Sequence, residues 1–241
     1  MTTTSKTPAV INWTGYLAIT LLVAIPLAVL TVRSGAWQQG LLLYAVACAG
    51  SALALLLALL LMALPRYALW RKDTRMRALF AIPGTLLLLS LLAGRGDYPP
   101  IHNISTDLQN PPQFVTAGKV RGNASNSLAL QEEVIEMQAR AYPDLQTLVI
   151  NDSIETAFER ALATADELGW EVYHQDLNSG VIEAVDTTAI MGFKDDVVIR
   201  LNTNADGTLV DLRSVSRVGI SDLGANAARI RAFFQAFKER G

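Results

Sequence analysis

Several groups of side chains have the types that catalysis and binding use. His102, Ser105 and Asp107 lie within six residues of one another and carry a base, a hydroxyl nucleophile and an acid. Triads are assembled from distant segments held by a fold, so a local His-x-x-Ser-x-Asp reads instead as a turn bonding to its own backbone. Asp195 and Asp196 are the types of a general acid and base pair. Neighbours on a strand point to opposite faces, so the two cannot meet on one substrate, and Asp195 reads as an ion-pair partner of Arg229 or Arg231. Two groupings remain as candidate binding residues: Asp196, Arg213 and Arg217, with Arg200 and Asp211 nearby, and Ser221, Asp222, Asn226 and Arg229, within reach of His102.

A nucleophile elbow, a zinc-protease HExxH and a phosphate-binding glycine loop are all missing from the sequence. Cys48 is the single cysteine, which excludes an intramolecular disulfide or a thiolate metal cluster. No catalytic residue, metal ligand or cofactor is assigned.

The elements that must position these residues follow from periodicity. Residues 145–150 read as a strand. Asp152-Ser153-Ile154-Glu155 reads as a capping box with Glu155 reaching back to the cap amide. Ile154, Ala157, Phe158, Ala161, Leu162, Ala165 and Leu168 then form one apolar helical face that Gly169 ends. Residues 170–176 and 181–189 make a hairpin about Asn178-Ser179-Gly180, and residues 196–203 and 208–216 make another about Asp206-Gly207. A last helix runs over 222–239, capped by Ser221 or Asp222, with Leu223, Ala227, Ile230, Phe234 and Phe237 on one side. The order β-α-β-β-β-β-α suits an α+β fold of two layers, an antiparallel sheet with both helices on one face. Alternation then turns Val197, Ile199, Leu201, Val210 and Leu212 toward the helices. It puts Asp196, Arg200, Asp211, Arg213 and Arg217 together on the opposite face, which reads as a solvated, mixed-charge patch available for docking.

Residues 96–144 read as an extended leading segment rich in Pro, Asn, Gly and Ser, with a short helix over 127–140. Before it, residues 1–95 are a membrane region. Charged residues are only 17% of the chain, below the roughly 25% of an average soluble domain, and the apolar ones crowd into three spans, 12–32, 40–64 and 78–94. The third is short, flanked by Arg77 and Arg95. Residues 1–96 hold eight Lys/Arg against one Asp, whereas residues 97–241 hold twelve against 21 Asp/Glu, an acidic balance that excludes nucleic acid as a partner. The basic loop over 66–77 is expected on the cytoplasmic side. A multi-pass protein of a bacterial inner membrane follows, with a cytoplasmic N-terminus and a periplasmic C-terminal domain (145–241). None of the spans carries an ionisable residue other than Cys48 and tyrosine, which argues against a transporter. Gly50, Ala54 and Ala58 form a small-residue stripe on the second span.

Several separated motifs carry a resemblance. Pro100-Ile101-His102-Asn103-Ile104-Ser105-Thr106-Asp107 with Asn110-Pro111-Pro112, Tyr142-Pro143-Asp144, Gly192-Phe193-Lys194-Asp195-Asp196-Val197, and the run from Arg213 through Ser216-Arg217, Gly219 and Ser221-Asp222-Leu223-Gly224 to Asn226-Ala227 resemble the bacterial and plastid family called domain of unknown function 1499. The resemblance covers residues 99–238. It departs at Asn103, where the family pattern has Asp after His, and it implies neither an activity nor a catalytic residue. The expectation is therefore an envelope-facing binding module without chemistry of its own, whose partners are the membrane and an envelope protein or lipid. The alternative is an enzyme acting on an envelope or lipid substrate at the Ser221 to Arg229 corner with His102.

Overall fold

Three runs of helix come first, apolar on every side except in the basic stretch that opens the third. In this computed structural model, which describes residues 6–94 and 96–241, α1 (Ala9–Arg33) and α2 (Trp37–Ala63) rise about 37 and 40 Å at 1.5 Å per residue. Either length exceeds the roughly 30 Å of a hydrocarbon core. The basic loop expected after them is itself helical: a 3-10 stretch, Pro65–Trp70, leads into α3 (Arg71–Ala78), and a further 3-10 turn, Leu79–Ala81, leads into α4 (Ile82–Ala93). The third helical stretch long and apolar enough to cross a membrane accordingly runs Pro65–Ala93. Arg95, expected to flank it, lies outside the described residues.

Close approach within this unit is made by small residues. A Cβ on Gly84 would stand 2.3 Å from the Ser51 hydroxyl, and Gly50 faces Leu21. Ala54 packs with Ala18 and Ala81, so the small-residue stripe of α2 is used inside the chain.

The chain divides into two compact units, Met1–Gly96 and Asp97–Gly241. In the second, an antiparallel sheet of six strands is built from β1 (Asn103–Ser105), β2 (Leu148–Ile150), β3 (Glu171–Asp176), β4 (Val181–Thr187), β5 (Lys194–Asn204) and β6 (Gly207–Ser216). The order is β1-β6-β5-β4-β3, and β2 also pairs with β6. Thus β1 and β2 share one edge, β1 opposite Arg213 to Val215 and β2 opposite Thr208 to Val210, bridged by main-chain and hydroxyl bonds between Thr106 and Leu212. Gly180, at φ 64, closes the β3-β4 turn, where a Cβ would lie 2.1 Å from the Leu201 carbonyl oxygen.

The α+β architecture agrees with the reading of the sequence, with one more strand. Strand β1 lies in what reads as a leading segment; three residues are too few for alternation to register. Its free edge is satisfied by a side chain: the buried Gln138 amide accepts from Ser105 N and donates to Ser105 O, replacing a neighbouring strand. Gln138 sits on α6 (Glu132–Ala141), which begins five residues later than the helix expected over 127–140.

Helices α7 (Ile154–Glu167) and α8 (Ala225–Glu239) cover one sheet face. Ala157, Phe158, Ala161 and Ala165 of α7 and Ile230, Phe233 and Phe237 of α8 meet Val197, Ile199, Leu201, Val210 and Leu212 in one core. Phe233 stacks on Trp170 at 5.4 Å and on Phe237 at 5.7 Å. Ser153 caps α7 by accepting from Thr156 N, so Glu155 stands at N2 rather than N3, and bonds to its own amide and to the Ser153 side chain hold its carboxyl below the usual range. Helix α8 starts three residues after Asp222, because Leu223 (φ 53) and Gly224 (φ 82) are left-handed. Leu223 is therefore exposed instead of lying on the buried face.

Candidate functional site

Alternation along β5 and β6 does place Asp196, Arg200, Asp211 and Arg213 on the face away from the helices, in the register Val198↔Arg213 and Arg200↔Asp211. The face is not solvated. Asp196 is 0% exposed and Arg213 2%, because residues 106–131 fold across it as a strap. A strap with little secondary structure of its own, only α5 (Ala117–Val120) and the start of the bond ladder that leads into α6, must find partners for its main chain elsewhere. Charged side chains of the sheet supply them. The Glu183 carboxylate, on β4, accepts from the amides of Val115, Thr116 and Ala117, the last two at 2.9 Å to Oε2. The Arg213 guanidinium donates to the carbonyls of Pro112 and Leu128 and, through Nε, to Asn103 Oδ1 at 3.0 Å. Its other face lies over the Phe114 ring. Asn103 is a further pin of this arrangement, since its Nδ2 also holds the Ala129 carbonyl.

Asp196 is the centre of the face at the far end of β5. Arg217 grips it with two bonds, Nε to Oδ2 at 3.0 Å and Nη2 to Oδ1 at 2.7 Å. The Tyr173 hydroxyl donates to Oδ1 at 3.4 Å, and Arg121 of the strap stands 3.3 Å from Oδ2. Burial and the carboxylates of Asp196 and Glu183 push the Tyr173 hydroxyl far above its usual range, so it is a neutral donor. Burial and the Arg121 charge push Arg213 down to about 10, which leaves it a cation at neutral pH. Burial lowers Arg121 against the pull of Asp196, and Arg217 lowers it further. Burial also opposes the charge of Arg217, but its bonds to Asp196 outweigh that and raise it.

Toward the other end, Arg200 bridges Asp107 (2.9 Å) and Asp211 (2.7 Å). Asp211 also accepts from the hydroxyls of Thr106 and Thr147. Partial burial works against the Asp107 carboxylate, but amide bonds from Asn110 and Gln109 and the Arg200 contact hold it below its usual range. Next to this cluster an open groove of about 440 Å³ is lined by Thr106, Asp107, Gln109, Tyr142, Gln146 and Thr147 among others. Tyr142 is buried, its hydroxyl finds no hydrogen-bond partner among the described residues, and Arg231 lies over its ring.

The third grouping meets at the start of α8. Asn226, fully buried, donates to the His102 carbonyl and Ser216 Oγ and accepts from Ser214 Oγ and Arg229. Arg229 holds Asp195 at 2.6 Å and Asp186 at 2.7 Å, the ion pair expected of Asp195. Asp222 accepts from the amides of Gly224 and Asn226, and Ser221 donates to the Pro99 carbonyl. His102 Nδ1 is 3.2 Å from the Ile220 carbonyl. These bonds tie 99–102 to 216–226 and leave the serine and the imidazole each directed at a main-chain oxygen. Ser105 and Asp107 make the local turn bonds expected of them. Among the described residues no group of three His, Cys, Asp or Glu could hold a metal ion.

The sequence reading passes over Arg121, Glu183 and Gln138. Arg121 lies where no periodicity marks an inward side, whereas Gln138 falls on the inward face that Val134 and Met137 mark on α6. Glu183 does carry a signal: a lone carboxylate inside the apolar run Val181-Ile182-Glu183-Ala184-Val185 sits on a strand buried on both sides and needs an internal partner.

Comparison with curated proteins gives no match to this chain. The family model described as protein of unknown function DUF1499 matches residues 103–237, which takes in every strand of the sheet, the strap and almost all of α8. The match covers more than half of the chain, and the protein belongs to that family.

Proposed function

We propose that the protein is a membrane-anchored binding module. Its three spans hold it in the inner membrane of a bacterium with the N-terminus in the cytoplasm, and its sheet domain recognises an envelope protein or lipid on the periplasmic side without transforming it. The observation that carries this reading is the groove of about 440 Å³. It offers the amide ends of Gln109 and Gln146 beside the rings of Tyr142 and Pro143, a mixture of apolar wall and few polar groups of the kind ligand sites use. The excess of Lys and Arg over residues 66–77 supports the orientation.

A photo-crosslinking amino acid placed at Gln109 and at Gln146 in cells tests the groove, with Ser179 on the β3-β4 turn as control. The same protein or lipid captured from both groove positions and not from 179 is the expected result; capture that does not distinguish them removes the reading. Orientation is tested separately. Ser179→Cys in a Cys48→Ala background is expected to react with an impermeant maleimide once the outer membrane is opened, and protection until the inner membrane is broken would reverse the topology.

A further inference from the structure

Under the strap, cations outnumber the carboxylates that answer them. Arg121, Arg213 and Arg217 gather there with Asp196 and Glu183. Glu183 is taken up by three main-chain amides, and Arg213 bonds only neutral oxygens. Asp196 alone therefore serves two guanidinium groups, and both of its oxygens are already held by Arg217. Arg121 is left at ion-pair distance, 3.3 Å from Oδ2. Its side chain is 5% exposed, yet among the described residues Nε, Nη1 and Nη2 find no hydrogen-bond partner. A guanidinium presents five N–H donors in a planar fork, and burying donors without acceptors is costly enough that nearly all buried polar groups are partnered.

We propose that Arg121 and Arg217 form an oxyanion site whose ligand is a phosphate group, carried either as free phosphate or on a lipid headgroup. The fork of Arg matches two oxygens of such a group. A ligand of this charge answers both the unmet donors of Arg121 and the surplus of positive charge beside it. Arg217 is partly exposed, 15%, which opens the cluster on one side. Arg121 lies between Gly118 and Gly122, which face open space. The site is separate from the groove and stands without it.

The test is the thermal unfolding of the full-length protein and of Arg121→Met, in detergent with and without inorganic phosphate at constant ionic strength, and in nanodiscs of phosphatidylglycerol or phosphatidylcholine. The wild type is expected to gain a saturable rise of several degrees, as ligand binding to the folded state requires, and Arg121→Met is expected to lose it. A rise with inorganic phosphate identifies the free anion, and a rise confined to phosphatidylglycerol identifies the headgroup. A wild type unmoved by either, or a response that Arg121→Met retains in full as a general salt effect would, overturns the site. Should Arg121→Met fail to fold, Arg121→Lys keeps one charge without the fork and is expected to weaken phosphate binding at least tenfold in calorimetry; unchanged binding would be equally fatal.

Discussion

The two faces of the one sheet are sealed by different physics. Successive residues of β5 alternate between them: Val197, Ile199 and Leu201 enter an apolar core under α7 and α8, while Asp196, Val198 and Arg200 lie under the strap. The first face is closed by burial of apolar area, which has no direction and needs regular helices to bring whole stripes of side chain. The second is closed by directed bonds from charged side chains to main-chain groups, and these hold a cover that has almost no secondary structure of its own. Glu183 acts as the acceptor for one stretch of strap and Arg213 as the donor for two others. Charge inside a sheet domain here serves as scaffold for irregular chain.

The contrast can be broken from either side. The largest effect is expected for Phe233→Ala, which empties the centre of the helix-covered face and should cost about 3–5 kcal/mol in denaturant unfolding, with strap and sheet lost together. Arg213→Ala should cost about 3 kcal/mol, since it strands the Pro112 and Leu128 carbonyls and Asn103. It differs in kind, because limited proteolysis should cut within 106–131 while the sheet is still folded. If both variants open in one step, the two faces are not separable. Ser153→Ala removes the cap of α7 and should cost about 1 kcal/mol, all of it on the helical side. The pair of Arg231 with Asp144 is about half exposed, and Arg231→Ala should stay within about 1 kcal/mol.

The smallest effect concerns pH. Asp107, held below its usual range, contributes stability that is complete above its unfolded pKa of about 3.9 and is lost as pH falls through the lower folded value. Asp107→Asn should therefore flatten the acid loss below about pH 4 and leave the slope at neutral pH unchanged. A changed slope above pH 5 would assign the effect to another group.

Much of this was legible in the chain because period and cap are local. The apolar face of α7, both hairpins and the division of β5 and β6 into apolar and charged faces follow from spacing alone. What covers the charged face does not. Residues 106–131 have no period, and their partners lie in strands read as separate units, so Asp196 and Arg213 read as surface. A segment of such length without regular structure in a small domain is itself unusual, and charged residues in the middle of two central strands are a matching sign; taken together they point to a strap bonded to those charges. The start of α8 was misplaced for a local reason, the left-handed Leu223-Gly224 pair, which a pattern of apolar spacing does not register.

Hydrogen exchange on full-length Glu183→Met, which keeps the length of the side chain and removes its acceptor, tests most directly whether sheet charges hold the strap. The amides of Val115, Thr116 and Ala117 and the rest of 106–131 are predicted to exchange at least tenfold faster than in the wild type, with β5 and β6 as protected as before. A strap that stays protected, or protection lost equally in strap and sheet, would contradict the account.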